Sequence, residues 1–566
     1  MAGRRKPSVV TCGNLPQLVV ATSLTTRQSG GRWAVDEAPA WRSIPDMVRW
    51  AGRHYDDLEA MVDDGRRWTF AELAGAVRDA TRAAIAGGIE PGDRVAVWAP
   101  NIAEWVVCSL GLLGAGAILV PLNTRFKGAE AAYILQKSGA RALFTVRNFL
   151  GTDYVSLITP ERHALRALER IVVLRGEAGG GAEAWRDWLA GASSVRPADA
   201  ERRIDAVGPD DISDIIFTSG TTGRPKGAMV THGQSLRVYW EWTRVVGLRR
   251  GDRYLIVNPF FHTFGYKAGF MSAIMRGATI VPQAVFDVDA VLARVAQERI
   301  SMLPGPPTLL QSILNHPRRG DYDLSSLRLC VTGAAVVPVE MIRRMREEMT
   351  FEVVVTGYGL TESTGTAAMC RHDDDPETIA TTSGRALEGT EIRIVDDAGN
   401  EVARGQPGEI LVRGYNVMKG YYDEPEETAR VIDADGWLHT GDIGVMDERG
   451  YIRVTDRKKD MFIVGGFNAY PAEIENILLR HPGIAQVAVV GMPDERLGEV
   501  GCAFVVLRPG ATSSPEEIIA WSRENMANYK VPRHIEIVDA LPVNASGKVL
   551  KYELRERARA VASARR

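Results

Sequence analysis

The chain has 566 residues, more than one ordinary hydrophobic core serves, so two or more domains are expected. It is 45% hydrophobic and 25% charged, and 68 Lys and Arg against 71 Asp and Glu leave a net charge of −3, a balance that argues against a nucleic-acid partner. Cys12, Cys108, Cys330, Cys370 and Cys502 are scattered without a CxxC pair, which argues against a disulfide framework or zinc site and suits a reducing cytoplasm.

Residues 1–40 read as a poorly ordered extension. Arg4-Arg5-Lys6 ahead of Leu15 to Leu24 faintly echoes a signal peptide, but the apolar run is short and broken by Gln17, Thr22 and Ser23. No apolar stretch of about 20 residues predicts a membrane span. Thr69 and Glu72 have capping-box spacing and open a helix that ends near Gly87-Gly88. Arg94 to Trp98 reads as a strand, 102–116 as an apolar helix, Ile118 to Val120 as a strand, 126–137 as a helix and Ala142 to Val146 as a strand. Such alternation predicts a layered α/β domain.

Residues 217–227 read FTSGTTGRPKG. Glycines let backbone N–H groups approach a phosphate, hydroxyls donate, and a lysine adds charge. The P-loop pattern fails: Pro225 stands where glycine should, and Gly227 rather than Ser or Thr follows Lys226. Ile215 to Phe217 and Ala228 to Val230 read as strands, and a capping box at Thr231 and Gln234 opens the next helix. The segment is therefore a loop between strands, and an ordinary surface loop is the competing reading.

Alternation resumes with a helix near 288–298, a strand at Leu327 to Thr332, a helix near 338–349 and a strand at Val353 to Thr356. After residue 400 short strands and turns dominate. The charged run Asp456-Arg457-Lys458-Lys459-Asp460 follows, and a small α+β unit lies beyond it. The expected division is a large domain over 41–455, a hinge at 456–460 and a small mobile domain over 461–566. A solvated turn is the plainer reading of the charged run.

The loop is followed, in order, by Gly357-Tyr358-Gly359-Leu360-Thr361-Glu362, Gly441-Asp442, the charged run, Gly465-Gly466-Phe467-Asn468 and Pro542-Val543-Asn544-Ala545-Ser546-Gly547-Lys548. From about residue 45 to about 555 the chain resembles the adenylate-forming superfamily of acyl- and aryl-CoA synthetases, luciferases and peptide-synthetase adenylation domains. The resemblance implies an α/β fold: a large layered N-terminal domain with a small β-rich subdomain, then a mobile α+β lid. It also implies a ligase for a small-molecule carboxylic acid, with ATP and CoA as co-substrates and Mg²⁺ as cofactor. A homodimer, and loading of a carrier protein in place of CoA, stay open.

Roles carry over by position. Thr218, Ser219, Gly220, Thr221, Thr222, Gly223 and Lys226 would cradle the β- and γ-phosphates. Glu362 would hold Mg²⁺, with Thr218 as a second ligand. Thr361 would contact the adenylate phosphate. Tyr358 and Gly359 would sit on adenine, beside Gly333, Ala334 and Ala335. Asp442 would bind the ribose hydroxyls, and Arg457 the ribose or phosphate region. Lys548 would bridge the carboxylate and the α-phosphate. Lys459 is the implied hinge, and Gly465 and Gly466 would line the pantetheine tunnel. Taken singly each has a plain alternative: Lys548 a surface lysine, Asp442 a turn residue, Glu362 a capping charge.

Asn258-Pro259-Phe260-Phe261-His262-Thr263-Phe264-Gly265 matches the superfamily's aromatic gate motif. His262 would border the carboxylate and CoA entry, and a core histidine is the alternative. Phe261, Phe264, Lys267 and Gly305 would line the acyl pocket; a snorkelling lysine is the alternative for Lys267. Tyr266-Lys267-Ala268-Gly269, Leu303 to Thr308 and Leu324 to Leu327 are similar to an actinobacterial branch. That branch includes the CoA ligase for the indane propanoate left by steroid ring degradation, and the rest of it acts on fatty acids or is unassigned, so a fatty acid or a steroid-derived alicyclic propanoate is the implied substrate; this chain's N-terminal extension departs from the branch.

Overall fold

A computed structural model of the chain describes residues 38–218, 225–333, 337–457, 460–464, 467–494, 497–526, 528–543 and 549–564. The first helix, α1 (Ile44–His54), is capped by Ser43. The helix Phe70–Ala86 opens on the capping box of Thr69 and Glu72. The helix Ala103–Gly114 buries every residue except Glu104. A helix apolar all round belongs inside the protein, and glycines let this one approach its neighbour. A Cβ on Gly111 would lie 2.4 Å from Ala80 Cβ, and one on Gly114 would lie 2.3 Å from Thr81 Oγ1.

The alternating region builds an eight-stranded sheet. Its strands Arg94–Trp98, Ile118–Pro121, Ala142–Val146 and Arg170–Arg175 run parallel. They are almost wholly buried, as strands covered on both faces must be. Strand β1 (Ile212–Thr218) joins this group in parallel, and β2 (Lys226–Thr231) pairs antiparallel with β1. Helix α2 (His232–Val246) starts directly after β2 on the capping box of Thr231 and Gln234. A second layer holds β3 (Leu329–Gly333) and β4 (Val353–Tyr358), which pair in parallel with Gly333 opposite Gly357.

Further along, β5 (Leu438–Met446) and β6 (Ile452–Arg457) belong to a four-stranded antiparallel sheet with its own small core. The C-terminal part forms a separate five-stranded sheet that opens at Phe462. Helices Pro471–Leu478 and Pro515–Asn525 pack over an apolar cluster on one face, and Lys551–Ala564 packs over another on the opposite face. The α/β class and the order of large and small domains follow the expectation. The N-terminal stretch 1–37, most of the expected extension over 1–40, lies outside the described residues.

His232, the first residue of α2, is buried, and its Nδ1 accepts the Ile44 N–H at 3.3 Å, tying α1 to α2. Burial, reinforced by the nearby Lys267 ammonium, lowers its imidazole from 6.5 to about 3. The folded state therefore holds a neutral ring that the unfolded chain protonates. This contribution is complete above pH 6.5 and is lost as pH falls toward 3, by up to about 1.4 kcal/mol per pH unit. Urea midpoints at pH 7.5 and 5.0 should fall more steeply for the native chain than for His232→Gln.

Candidate active site

The hairpin β1–β2 presents Thr218 and Lys226 as cross-strand partners, so both ends of the predicted phosphate loop are pinned together. Thr218 Oγ1 donates to Glu362 Oε1 at 3.3 Å. The same carboxylate oxygen accepts the phenol of Tyr421 at 2.8 Å. Burial, then the neighbouring Glu362, raises the Tyr421 phenol well above its ordinary value and keeps it a donor. Tyr421 reaches this position because Gly420–Tyr421 forms a short strand against β2. The Glu362 backbone is fastened as well: Met418 N–H donates to its main-chain oxygen at 2.8 Å.

Lys226 is almost wholly buried and forms an ion pair with Glu427, with its ammonium 5.3 Å from the Tyr421 ring centroid. The lysine hydrogen bond holds the Glu427 carboxyl below its usual range. A phosphate binding here would exchange for that carboxylate.

The ends of β3 and β4 form the neighbouring wall. Gly333 has φ +151°, a conformation that favours glycine. After β4 the chain turns sharply: a Cβ on Gly359 would lie 2.4 Å from Gly365 O, a backbone atom that cannot swing away. Tyr358 then donates its phenol to Asp442 Oδ2 at 2.7 Å. Asp442 is buried on β5, and its partner across the ladder to β6 is Arg457. The predicted adenine and ribose residues thus meet from separate elements. Thr361 and Glu362 sit in the short 3-10 turn that follows.

The gate segment is fastened by a residue outside any motif noticed in the sequence. Asn101 donates through Nδ2 to Ile256 O and Asn258 O at 3.0 and 2.9 Å, and its Oδ1 accepts the Phe260 N–H at 2.8 Å. Phe260 is buried edge-on against Trp105 and Phe270, while Phe261 and Phe264 keep part of their surface open. His262 keeps an exposed face, yet protein surrounds it so closely that desolvation lowers its imidazole below the usual value. Its Nδ1 accepts the Phe264 N–H at 3.2 Å. Gly305 is buried and donates its N–H to Val331 O at 3.1 Å, near the end of β3.

Lys267 departs from both sequence-level pictures of it. It neither reaches the surface nor stands free in a pocket; it is fully buried, with Nζ 2.9 Å from Asp214 Oδ1 on β1. Ser219, Gly220, Thr221, Thr222, Gly223, Ala334, Ala335, Lys459, Gly465, Gly466 and Lys548 lie outside the described residues, as does the side chain of Arg457. Asn101 and Tyr421 are the additions the sequence reading lacked.

Among the described residues no group of three or more His, Cys, Asp or Glu is placed to hold a metal alone. One carboxylate and one hydroxyl, as at Glu362 and Thr218, suit a hard cation that takes its remaining ligands from substrate phosphates and water.

The layered α/β fold carries the ordered motifs of an adenylate-forming enzyme, and the chain belongs to the AMP-binding enzyme family. The family's model, "AMP-binding enzyme", matches residues 48–422, and "AMP-binding enzyme C-terminal domain" matches 473–548. The chain is 51% identical over 91% of its length to the 3-[(3aS,4S,7aS)-7a-methyl-1,5-dioxo-octahydro-1H-inden-4-yl]propanoyl:CoA ligase of Rhodococcus jostii, covering 98% of that protein. It is 50% identical over 91% of its length to the Mycobacterium tuberculosis protein of the same name, covering 99% of it. Among solved structures, the anthranilate CoA ligase AuaEII with anthranoyl-AMP matches at 29% identity and TM-score 0.82, over 93% of this chain and 99% of that one. The protein is an AMP-forming acyl-CoA synthetase, with ATP and CoA as co-substrates.

Two substitutions test the geometry. Tyr421→Phe removes one donor from Glu362, and hydrogen bonds to charged groups contribute about 1.5–3 kcal/mol, so acid-dependent pyrophosphate release should fall about 10-fold or more. Gly265→Ala puts a Cβ 2.2 Å from Pro259 O and 2.3 Å from Asn258 O. Both are backbone atoms, so the gate must shift. Overpacking of this kind costs about 1–3 kcal/mol, readable as a lower urea midpoint together with slower pyrophosphate release.

Proposed function

We propose that the acid is a bicyclic keto-propanoate of the kind for which the two half-identical relatives are named, and that free CoA is the accepting thiol. The observation that carries this reading is identity at half of all positions across nearly the whole length of both relatives. The four buried free thiols among the described residues suit the reducing cytoplasm.

In this reading a carboxylate oxygen attacks the α-phosphate of ATP, pyrophosphate leaves, and a mixed acyl–phosphate anhydride remains. Thr218 and Lys226 receive the β- and γ-phosphates, Tyr358 stacks on adenine, and Asp442 accepts the ribose hydroxyls. Glu362 and Thr218 fit Mg²⁺, which supplies charge neutralisation among the phosphate oxygens. Lys548 stands between the carboxylate and the α-phosphate as charge shifts. The CoA thiol then enters past Gly465 and Gly466, forms the thioester bond at the carbonyl carbon, and AMP departs. The lid turns about Lys459 between the two steps.

Pyrophosphate release with fatty, aryl and alicyclic keto acids, with CoA, a carrier protein or neither, tests the substrate and the thiol together. Strongest release with a fatty acid, or thioester formation on carrier protein alone, overturns the reading. The half-reactions should also separate. Loss of one transition-state stabiliser costs roughly 10²–10³ in rate, so Lys548→Ala should slow adenylation by that factor and spare thioester formation from ready-made acyl-adenylate. Gly466→Leu should still release pyrophosphate and fail to form thioester. Pyrophosphate exchange beside thioester assay reads both variants, and equal damage to both steps would exclude a two-position lid.

A further inference from the structure

Lys226 stands at the end of the predicted phosphate loop, and its charge is committed within the protein. The ammonium pairs with Glu427 Oε2, while the other carboxylate oxygen, Oε1, takes the guanidinium of Arg430. One carboxylate thus serves two cations. The Lys226 side chain is almost wholly buried and Arg430 is largely exposed.

The fold fixes this contact. The strand Gly420–Tyr421 is fastened to β2 at both ends, Lys419 N–H donating to Met229 O at 2.9 Å and Tyr422 N–H to Gly227 O at 2.7 Å. The short helix Pro425–Val431 follows and carries Glu427 and Arg430 one turn apart. Thr428 pins this helix to the strand: its Oγ1 accepts the Tyr421 N–H at 2.8 Å and donates to Glu424 O at 2.9 Å. A Cβ on Gly420 would lie 2.8 Å from Thr428 Cγ2, so a side chain there would push the helix away. Glu424, the neighbouring carboxylate, is itself paired with Lys137 at 3.3 Å.

A carboxylate in contact with an ammonium cancels much of the field that the ammonium offers a second anion. For Lys226 to hold phosphate, the phosphate must win it from Glu427. Arg430 makes that exchange balanced. When the ammonium turns away, the carboxylate keeps its second cation and does not face the incoming phosphates bare.

We propose that Glu427 is a resident competitor for Lys226, with Arg430 as the partner that holds it aside, and that this contact sets how tightly the enzyme holds ATP and pyrophosphate. This rests on the reading of Lys226 as a phosphate-binding cation given above. The competition acts twice. ATP displaces the carboxylate on binding. Pyrophosphate carries the same two phosphates, so after the first step the returning carboxylate favours its departure. Glu427 is a positioning residue, acting through Lys226.

The test measures equilibrium binding of ATP without acid, so that no chemistry occurs, and the inhibition constant of pyrophosphate. Native enzyme is compared with Glu427→Gln, Arg430→Ala, Lys226→Met, and Lys226→Met combined with Glu427→Gln. Glutamine has the shape of glutamate, and residues 427 and 430 both keep exposed surface, so these two variants are expected to fold. Removing the competitor should tighten ATP and pyrophosphate together, by about 3–10-fold, and removing its second partner should weaken both by about twofold. A merely structural contact would not move the constants in opposite directions. Lys226→Met should weaken ATP binding, and in its background Glu427→Gln should change neither constant. Unchanged or weaker ATP binding in Glu427→Gln, or the same tightening with and without Lys226, overturns the proposal. Lys226→Met that binds ATP as tightly as native enzyme overturns the phosphate reading of Lys226 itself.

Discussion

One oxygen of the Glu362 carboxylate accepts from both Thr218 and Tyr421, and the site is assembled around it. Three stretches far apart in the chain end there: strand β1, the turn after β4, and the short edge strand at Gly420–Tyr421. A carboxylate at the place where phosphates must arrive is an electrostatic contradiction. A hard cation held by Glu362 and Thr218 would resolve it by supplying positive charge between the like-charged groups. The neighbouring Thr218 hydroxyl would give such a cation a neutral oxygen ligand that adds no further negative charge.

Rigidity around this point comes from backbone contacts more than from side chains. Gly359 and Gly265 each admit a main-chain approach that a single methyl group would block. Asn101 holds the gate through three hydrogen bonds to backbone atoms, two given and one received. Groups fixed in this way lose little freedom when substrate binds, so more of the binding energy remains for orientation.

The regular elements were largely legible in the sequence because local chemistry dictates them. Thr69 with Glu72 and Thr231 with Gln234 are spaced as capping boxes and form them. The π-helix after the gate, Phe264–Met271, was not legible, since one extra residue per turn leaves no mark in composition. Within the site, Thr218 with Glu362 and Tyr358 with Asp442 come together across long separations. No periodicity reveals such pairs, and only the ordered set of motifs suggested them. Asn101 and Tyr421 escaped notice because an amide bonding to backbone, or a phenol reaching one carboxylate, carries no motif. The oddity of Lys267 was visible, but its partner was not: Asp214 lies between Ser213 and Ile215 in a strand far away in the chain, and only the fold brings the two together.

The hydrogen bond from the Phe264 amide to His262 Nδ1 has a chemical consequence. An accepting Nδ1 carries no proton, so the ring's hydrogen resides on Nε2. Desolvation disfavours a second proton, and the ring is uncharged at neutral pH. At the carboxylate entry that the family resemblance implies for it, His262 would offer a directional donor without a fixed positive charge. An imidazolium would grip the anion as a salt bridge and dull its nucleophilicity; a neutral N–H orients it and leaves its electron pair free to react.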